Sequence, residues 1–302
     1  MSEQWRVQFD AKVEFQNGGW LEVEGFRLDI PGADIDDDAL GAAFVRHLGL
    51  LMAGKVEVRR KELIREAHKG SRGMVPPGPR AERRLVELSH DIRHGMTTYP
   101  GLPGPEISEH LTREASRARY AQDTEFHIAR ISMVANTGTY VDAPSHRYAN
   151  GADLAGVPLG ALADLDGLVV RVEDSRERAI DRNVFLPYDV KGRAVLVHTG
   201  WARHWGTEQY GREAPFLTRA AAEWLAEQGA ALVGIDSVNI DDTGDGTRPA
   251  HTVLLAAGVP IVEHLRGLEQ LPTEGFRFHA APPRIQGMGT FPVRAYAVVL
   301  PR

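Results

Sequence analysis

An α/β fold is the class this 302-residue sequence predicts, and three apolar runs and one helix carry that reading. Leu168 to Val172, Ala194 to Thr199 and Ala231 to Ile235 are short β-rich runs without polar alternation, the pattern of strands covered on both faces. Between the last two, Thr218 caps a helix that continues to Gln228, with Ala221, Trp224 and Leu225 as its inner side and Gly229 as its stop. Strand, capped helix, strand is the signature of an α/β domain.

The first part of the chain follows a different rule. Arg6 to Phe15 alternates, with Val7, Phe9, Ala11, Val13 and Phe15 on one side and Arg6, Gln8, Asp10, Lys12 and Glu14 on the other, which predicts a half-solvated strand. Gln16 to Gly19 supplies residues that tolerate positive φ, and Trp20 to Ile30 resumes in extended style, so the pair reads as a hairpin ended by Pro31-Gly32. Asp36, Asp37 and Asp38 crowd the start of a helix, where negative charge meets the positive end of its dipole. Leu40, Phe44, Val45, Leu48 and Leu51 form its expected buried stripe, and Val56 to Ile64 a third strand. These elements make an α+β unit over residues 1–68 with no chemistry of its own. Lys69 to Arg80 holds three prolines and three glycines and little that is apolar, so residues 69–84 are read as a linker and 85–302 as the main domain.

Composition narrows the function. Hydrophobic content of 43% and charged content of 25% belong to an ordinary globular protein. A formal charge of −6 leaves no basic surface of the kind nucleic acid demands. With zero cysteines there are no disulfides, thiolate nucleophiles or thiolate metal sites. No stretch approaches the roughly 18 apolar residues of a membrane helix, and no leader pattern opens the chain. A cytoplasmic protein with neither nucleic acid nor membrane as partner is expected.

The chain is organised around one stretch. Phe126 to Val134 reads as a strand, and the segment from Ala135 to Tyr148 that follows is too polar and too rich in turn formers for core. Taken alone, Asp142-Ala143-Pro144 is equally a plain strand-to-loop turn, since Pro fixes its own φ and pushes Ala143 towards extended geometry. Upstream stand Leu88-Ser89-His90, Gly95-Met96 and Tyr99-Pro100-Gly101 with Pro103. Downstream come Gly200 to Gly206, with two Trp beside Arg and His, then the acidic loop Asn239 to Pro249, His251 to Leu255 and Gly258 to Glu263. Phe276 to His279, Gly287 to Arg294 and Ala295 to Leu300 close the chain. Asp241, Asp245 and Gly246 fall short of a calcium loop, because Thr252 occupies the position that requires Glu. A dinucleotide loop, a phosphate loop, a serine-hydrolase elbow and a zincin helix motif are all absent.

Together, these motifs resemble the putative-cyclase family of kynurenine formamidases and isatin hydrolases over about residues 85 to 300. The family signature His-x-Gly-Thr-His-x-Asp-x-Pro-x-His is matched by Gly138, Thr139, Asp142, Pro144 and His146, whereas Asn136 and Tyr140 stand where it places two histidines. The resemblance implies a mixed, barrel-like β core with flanking helices, built into homodimers or homotetramers. In the family those histidines and the aspartate hold a divalent ion such as zinc or manganese. An amide oxygen is a weak ligand, and a phenol must lose a proton of pKa about 10 to ligate well, so that position is expected to be empty here.

What the resemblance implies for the site is Asp142, His146, His251 and Glu263 gathered around one pocket, with Tyr140 beside them as the remaining catalytic candidate. Asn136, His90, Tyr99 and Trp201 are the expected substrate-binding residues, although His90 and Trp201 also admit purely structural readings. The expected reaction is hydrolysis of a small amide, lactam or lactone, or cyclisation or dehydration, by metal-independent acid/base catalysis with His146. The first alternative is a single-metal amidohydrolase of kynurenine formamidase type, with Zn or Mn on Asp142, His146 and Glu263. A second is a catalytically inactive protein that binds a small ligand.

Overall fold

The structure, a computed structural model, describes residues 4–16, 18–50, 53–66, 83–173, 175 and 177–300. It divides into two compact units, Met1–Pro79 and Arg80–Arg302. No helix among the described residues is long and apolar enough to cross a membrane.

In the first unit, β1 (Gln4–Phe15), β2 (Trp20–Ile30) and β3 (Ala53–Glu66) form an antiparallel sheet in the order β2-β1-β3, with α1 (Asp37–Leu48) against it. Val7, Phe9, Ala11 and Val13 are buried together with Leu40 and Phe44 of α1. Phe9 and Phe26 both meet the Phe44 ring edge-on, at 5.3 and 4.9 Å between centroids. Asp36 caps the helix by accepting from Ala39 N, and Gly49 ends it in left-handed geometry. The buried stripe is shorter than the spacing predicts. Val45 is half-buried and Leu48, in the last turn before Gly49, is exposed. Leu51 and residues 69–82 of the expected linker lie outside the described residues.

The second unit is the expected α/β domain. Its elements are β4 (Arg84–Glu87), β5 (Glu106–Leu111), α2 (Arg113–Arg117), β6 (Ile128–Ser132), β7 (Tyr140–Asp142), β8 (Leu165–Arg171), β9 (Ala179–Ile180), β10 (Arg193–His198), β11 (Phe216–Leu217) and α3 (Arg219–Glu227). Then follow β12 (Leu232–Ile235), α4 (Pro249–Ala256), β13 (Ile261–Glu263), β14 (Phe276–His279), β15 (Thr290–Pro292) and β16 (Tyr296–Val299). Nine strands form one mixed sheet, β15-β7-β13-β12-β10-β8-β14-β16-β4. Its centre, β8, β10, β12 and β13, is parallel, and the strands on either side run antiparallel to it.

Period-two geometry explains why the central strands lack polar alternation. Val169, Leu196, Leu232 and Val262 point into one apolar cluster, while Val170, Val195, Val233 and Ile261 point into another. The second cluster is closed by Ala221, Ala222 and Leu225 of α3 and by Ala250, Leu254 and Leu255 of α4. Each such aliphatic side chain, fully buried, contributes about 1.5–3 kcal/mol relative to exposure.

The expected strand Phe126 to Val134 is shorter, as β6, and joins only β5. Every residue of it is exposed, Ile128 and Ile131 included. Its β propensity is real, but no layer of the described residues covers it. At the other end of the large sheet, β7 lies between β13 and β15, so that Tyr140 faces Glu263 and Asp142 faces Thr290 across the strands. That register builds the site.

Candidate active site

β7 begins after a turn that needs Gly138, whose φ is +67° and whose N–H donates to Thr98 Oγ1. Thr139 anchors the strand by donating to the His264 carbonyl. Along β7 the side chains of Tyr140 and Asp142 share one face, while Val141 enters the core behind. A single 3₁₀ turn, Pro144–His146, brings His146 back beside Asp142. Gly289 makes room for that turn, since a Cβ there would lie 2.3 Å from the His146 amide nitrogen.

Hydrogen bonds fix how the two imidazoles are presented. Thr290 Oγ1 contacts both Asp142 Oδ1 and His146 Nδ1, the latter at 2.7 Å. The carboxylate can only accept, so the Thr290 proton goes to Asp142 and His146 donates from Nδ1. His146 Nε2 is left with its lone pair, 3.8 Å from Asp142 Oδ1. His251 Nδ1 likewise donates to Asp241 Oδ2 at 2.6 Å, and its Nε2 lies 3.6 Å from Asp142 Oδ2 and 3.7 Å from Glu263 Oε1. Asp142 Oδ2 is buried without a hydrogen-bond partner.

Burial opposes charge on His251, but Asp142, Asp241 and Glu263 outweigh it and raise its pKa to about 10. The same burial raises the Glu263 carboxyl to about 7, against the pull of His251. The buried carboxylates thus favour positive charge at this point, which a protonated His251 or a bound cation supplies. One carboxylate oxygen and one imidazole nitrogen each from Asp142, His146 and His251 lie within 4.8 Å of one another. With an orphaned carboxylate oxygen and two imidazoles oriented through their far nitrogens, this set fits a divalent ion. It differs from the expected Asp142, His146 and Glu263. The Glu263 oxygens are already engaged, Oε1 by Ile240 N–H and Oε2 by the Tyr140 hydroxyl, each at 2.6 Å.

Tyr140 belongs to a buried chain of hydrogen bonds. Burial and the neighbouring carboxylates Glu263 and Asp142 hold its phenol well above the usual range, so it stays protonated and donates to Glu263. His264 Nε2 lies 3.3 Å from that hydroxyl, and Tyr210 OH 2.9 Å from His264 Nδ1. With the Tyr140 proton committed, His264 donates from Nε2 and accepts from Tyr210 at Nδ1. Burial keeps His264 neutral, its pKa lowered to about 3.

The sign of the resulting pH dependence is fixed. Below pH 6.5 the unfolded chain takes up a proton at this histidine that the folded chain refuses, so stability falls with falling pH. Between pH 7 and 5 the wild type should lose about 2 kcal/mol more than His264→Gln, read from urea melts at both values. Equal losses would show that His264 is not held neutral.

A cavity of about 300 Å³ opens over these groups. Of the residues read from the sequence, Asn136, Tyr140, His146, His251, Glu263 and Tyr99 line it, with Asp142 buried beneath. His90 and Trp201 do not line it. His90 stacks on Trp205 at 3.9 Å and borders a separate cavity, while Trp201 donates from Nε1 to the Tyr210 carbonyl. Sequence reasoning missed Leu102, Arg147, Asn239 and Arg248 on the wall, and Asp241, Thr290 and His264 behind it. Asp241 is no part of a calcium loop. It accepts from the Ala250 and His251 amides at the start of α4 as well as from the His251 ring.

A family model described as "Putative cyclase" matches residues 86–242. The kynurenine formamidase of Bordetella avium (strain 197N) is 28% identical over 216 residues, which cover 70% of this chain and 97% of that protein. A solved structure described as a potential metal-dependent hydrolase with cyclase activity is 26% identical, with a TM-score of 0.61 over 72% of this chain and 99% of that one. Isatin hydrolase A from Ralstonia solanacearum shares the fold at 20% identity, with a TM-score of 0.62 over 78% of this chain and 100% of its own. The match spans more than half of the sequence and includes β7 with the turn that carries His146, and the chain belongs to the Putative cyclase family.

Proposed function

We propose that this chain hydrolyses a small amide, lactam or lactone, or exchanges the same bond in the cyclising direction, in the cavity over β7. The observation that carries the reading is the buried, unpartnered Asp142 Oδ2 with His146 and His251 turned towards the same carboxylate. Relatives named for kynurenine formamide hydrolysis and for isatin hydrolysis support the choice of bond.

Asp142, His146 and His251 would hold a divalent ion, which when bound supplies Lewis acidity and lowers the pKa of water towards neutrality. The other groups orient and enclose the substrate. Asn136 brings a carboxamide to the wall, suited to a carbonyl oxygen on which charge develops, while Asn239 beside it is turned to Glu263 and the Asp241 amide. Tyr140 and the Ile240 amide hold Glu263 in one position, and Tyr99 and Leu102 shield the opening.

A second, ion-free reading rests on His146 itself. Its Nδ1 proton is committed to Thr290, and its side chain is 35% exposed, so the Nε2 lone pair is free to take a proton from water and return it to the leaving group.

Elemental analysis of protein purified without chelator or affinity metal, repeated after adding zinc and manganese, separates the two. About one equivalent is expected, lost in Asp142→Asn. No ion in either preparation would sink the first reading and leave His146 as the base. Incubation with a panel of aryl formamides, five-membered lactams and lactones, followed by chromatography, tests turnover. Binding without conversion of any of them would make the chain a ligand-binding protein.

A further inference from the structure

The wall of this cavity is electrically lopsided. Its floor holds Asp142 and Glu263 around His251, whereas its rim carries two guanidinium groups, Arg147 and Arg248. Among the described residues neither arginine forms an ion pair with a carboxylate. Arg147 lies exposed, its guanidinium 5.4 Å from the Tyr148 ring. Arg248 is half-buried and held in place, donating to the Asp242 carbonyl at 2.7 Å and to Tyr99 OH at 3.4 Å. The Asp245 carboxylate feels the Arg248 charge but makes its hydrogen bonds with the Thr247 amide and hydroxyl.

Its backbone points the same way. Arg248 has φ +48° and ψ +60°, a left-handed conformation that side chains with a Cβ rarely adopt, directly before Pro249 opens α4. Strain of this kind persists where the surrounding structure imposes it, and it collects at ligand clamps. A fixed, half-desolvated guanidinium with no carboxylate in direct contact gains from a ligand that supplies one, and its planar fork matches a carboxylate.

We infer that the substrate is a small carboxylic acid whose carboxylate, remote from the bond that reacts, is clamped by Arg248 and Arg147 at the rim. This rests on the reading of the cavity as a hydrolytic site and adds its substrate class. The arrangement also fixes orientation. With the carboxylate held at the rim by the guanidinium groups, the uncharged amide or lactone end is the one left to reach the floor. A volume of about 300 Å³ suits a single ring or a short chain between the two ends.

The test is binding, which needs no turnover. Calorimetry or ligand-observed NMR compares 3-phenylpropanoate with its methyl ester and with phenethyl phosphate, on wild type, Arg248→Gln, Arg248→Lys and His146→Ala. Wild type should bind the acid at least about 10-fold tighter than the ester, and Arg248→Gln should weaken the acid about 10- to 100-fold and leave the ester unchanged. Arg248→Lys, which keeps the charge without the fork, should fall between. Equal binding of acid and ester by wild type, or equal losses for both in Arg248→Gln, overturns the clamp. A phosphate ester preferred tenfold over the acid overturns the carboxylate assignment. Acid preference retained in His146→Ala shows the clamp standing apart from the reaction, so the failure of one claim is distinguishable from the failure of the other.

Discussion

His146→Ala should lower kcat by about 10²- to 10⁴-fold on whichever panel substrate the wild type turns over, with little change in melting temperature. The two halves of this expectation have separate causes. The imidazole supplies Nε2 to the cavity, as ion ligand or as base, and among the described residues no other imidazole is paired with Asp142 Oδ1. Its contribution to folding is small, because the ring is partly solvated and its one strong contact, Thr290, keeps its bond to Asp142 when the ring is gone. Steady-state kinetics with thermal melts of both proteins checks the pair. Unchanged kinetics would remove His146 from the mechanism, whereas a collapsed melting temperature would make it a structural residue.

Loss of Asp241 should damage folding and chemistry together. Its carboxylate is fully buried and serves the Ala250 and His251 amides and the His251 ring, so Asp241→Ala strands three donors in the interior. A cost of about 3–5 kcal/mol is expected, as for other broken buried charge pairs. Removing the group that orients a ligating or catalytic histidine should add a 10- to 100-fold loss in ion affinity or turnover. Asp241→Asn separates the effects. One carboxamide oxygen can still cap α4, so much of the stability returns, but a neutral group no longer draws the His251 proton and the functional loss stays. Urea melts together with ion content or kinetics of the two variants check this, and full functional recovery in Asp241→Asn would show that only the helix cap matters.

Much of the architecture was legible because local patterns and tertiary burial agree. The unalternating runs became β8, β10 and β12, buried on both faces, and Thr218 caps α3 as its spacing predicts. The alternation of Arg6 to Phe15 placed Val7 to Val13 in the core of the small sheet. Misses arose where the outcome depends on what lies opposite. Leu48 has the right spacing for the α1 stripe but sits in its last turn, with no sheet beneath it, and β6 has strand composition without a covering layer.

In the site, the signature residues converge because β7 sets Tyr140 and Asp142 on one face and the 3₁₀ turn after it returns His146 beside them. Their partners come from afar: Glu263 is 123 positions from Tyr140, and Thr290 is 148 from Asp142. No periodicity announces such pairs. His90 and Trp201 stand within motif-like stretches, yet stacking on Trp205 and a bond to the Tyr210 carbonyl draw them elsewhere. Arg248 carries no sequence signal at all, since its left-handed backbone follows from the loop between Asp242 and Pro249 rather than from its residue type.

Tyr140 bears on how this lineage can change. Tyrosine and histidine codons differ by a single base, so a return to the family signature at this position is mutationally close. Its obstacle is the company the phenol keeps. The hydroxyl holds Glu263 and receives His264, which in turn receives Tyr210, and all four side chains are buried. Reversion at residue 140 alone would unseat that chain before Asn136 had also become a ligand. Residues 140, 210 and 264 should therefore tolerate substitution together rather than singly.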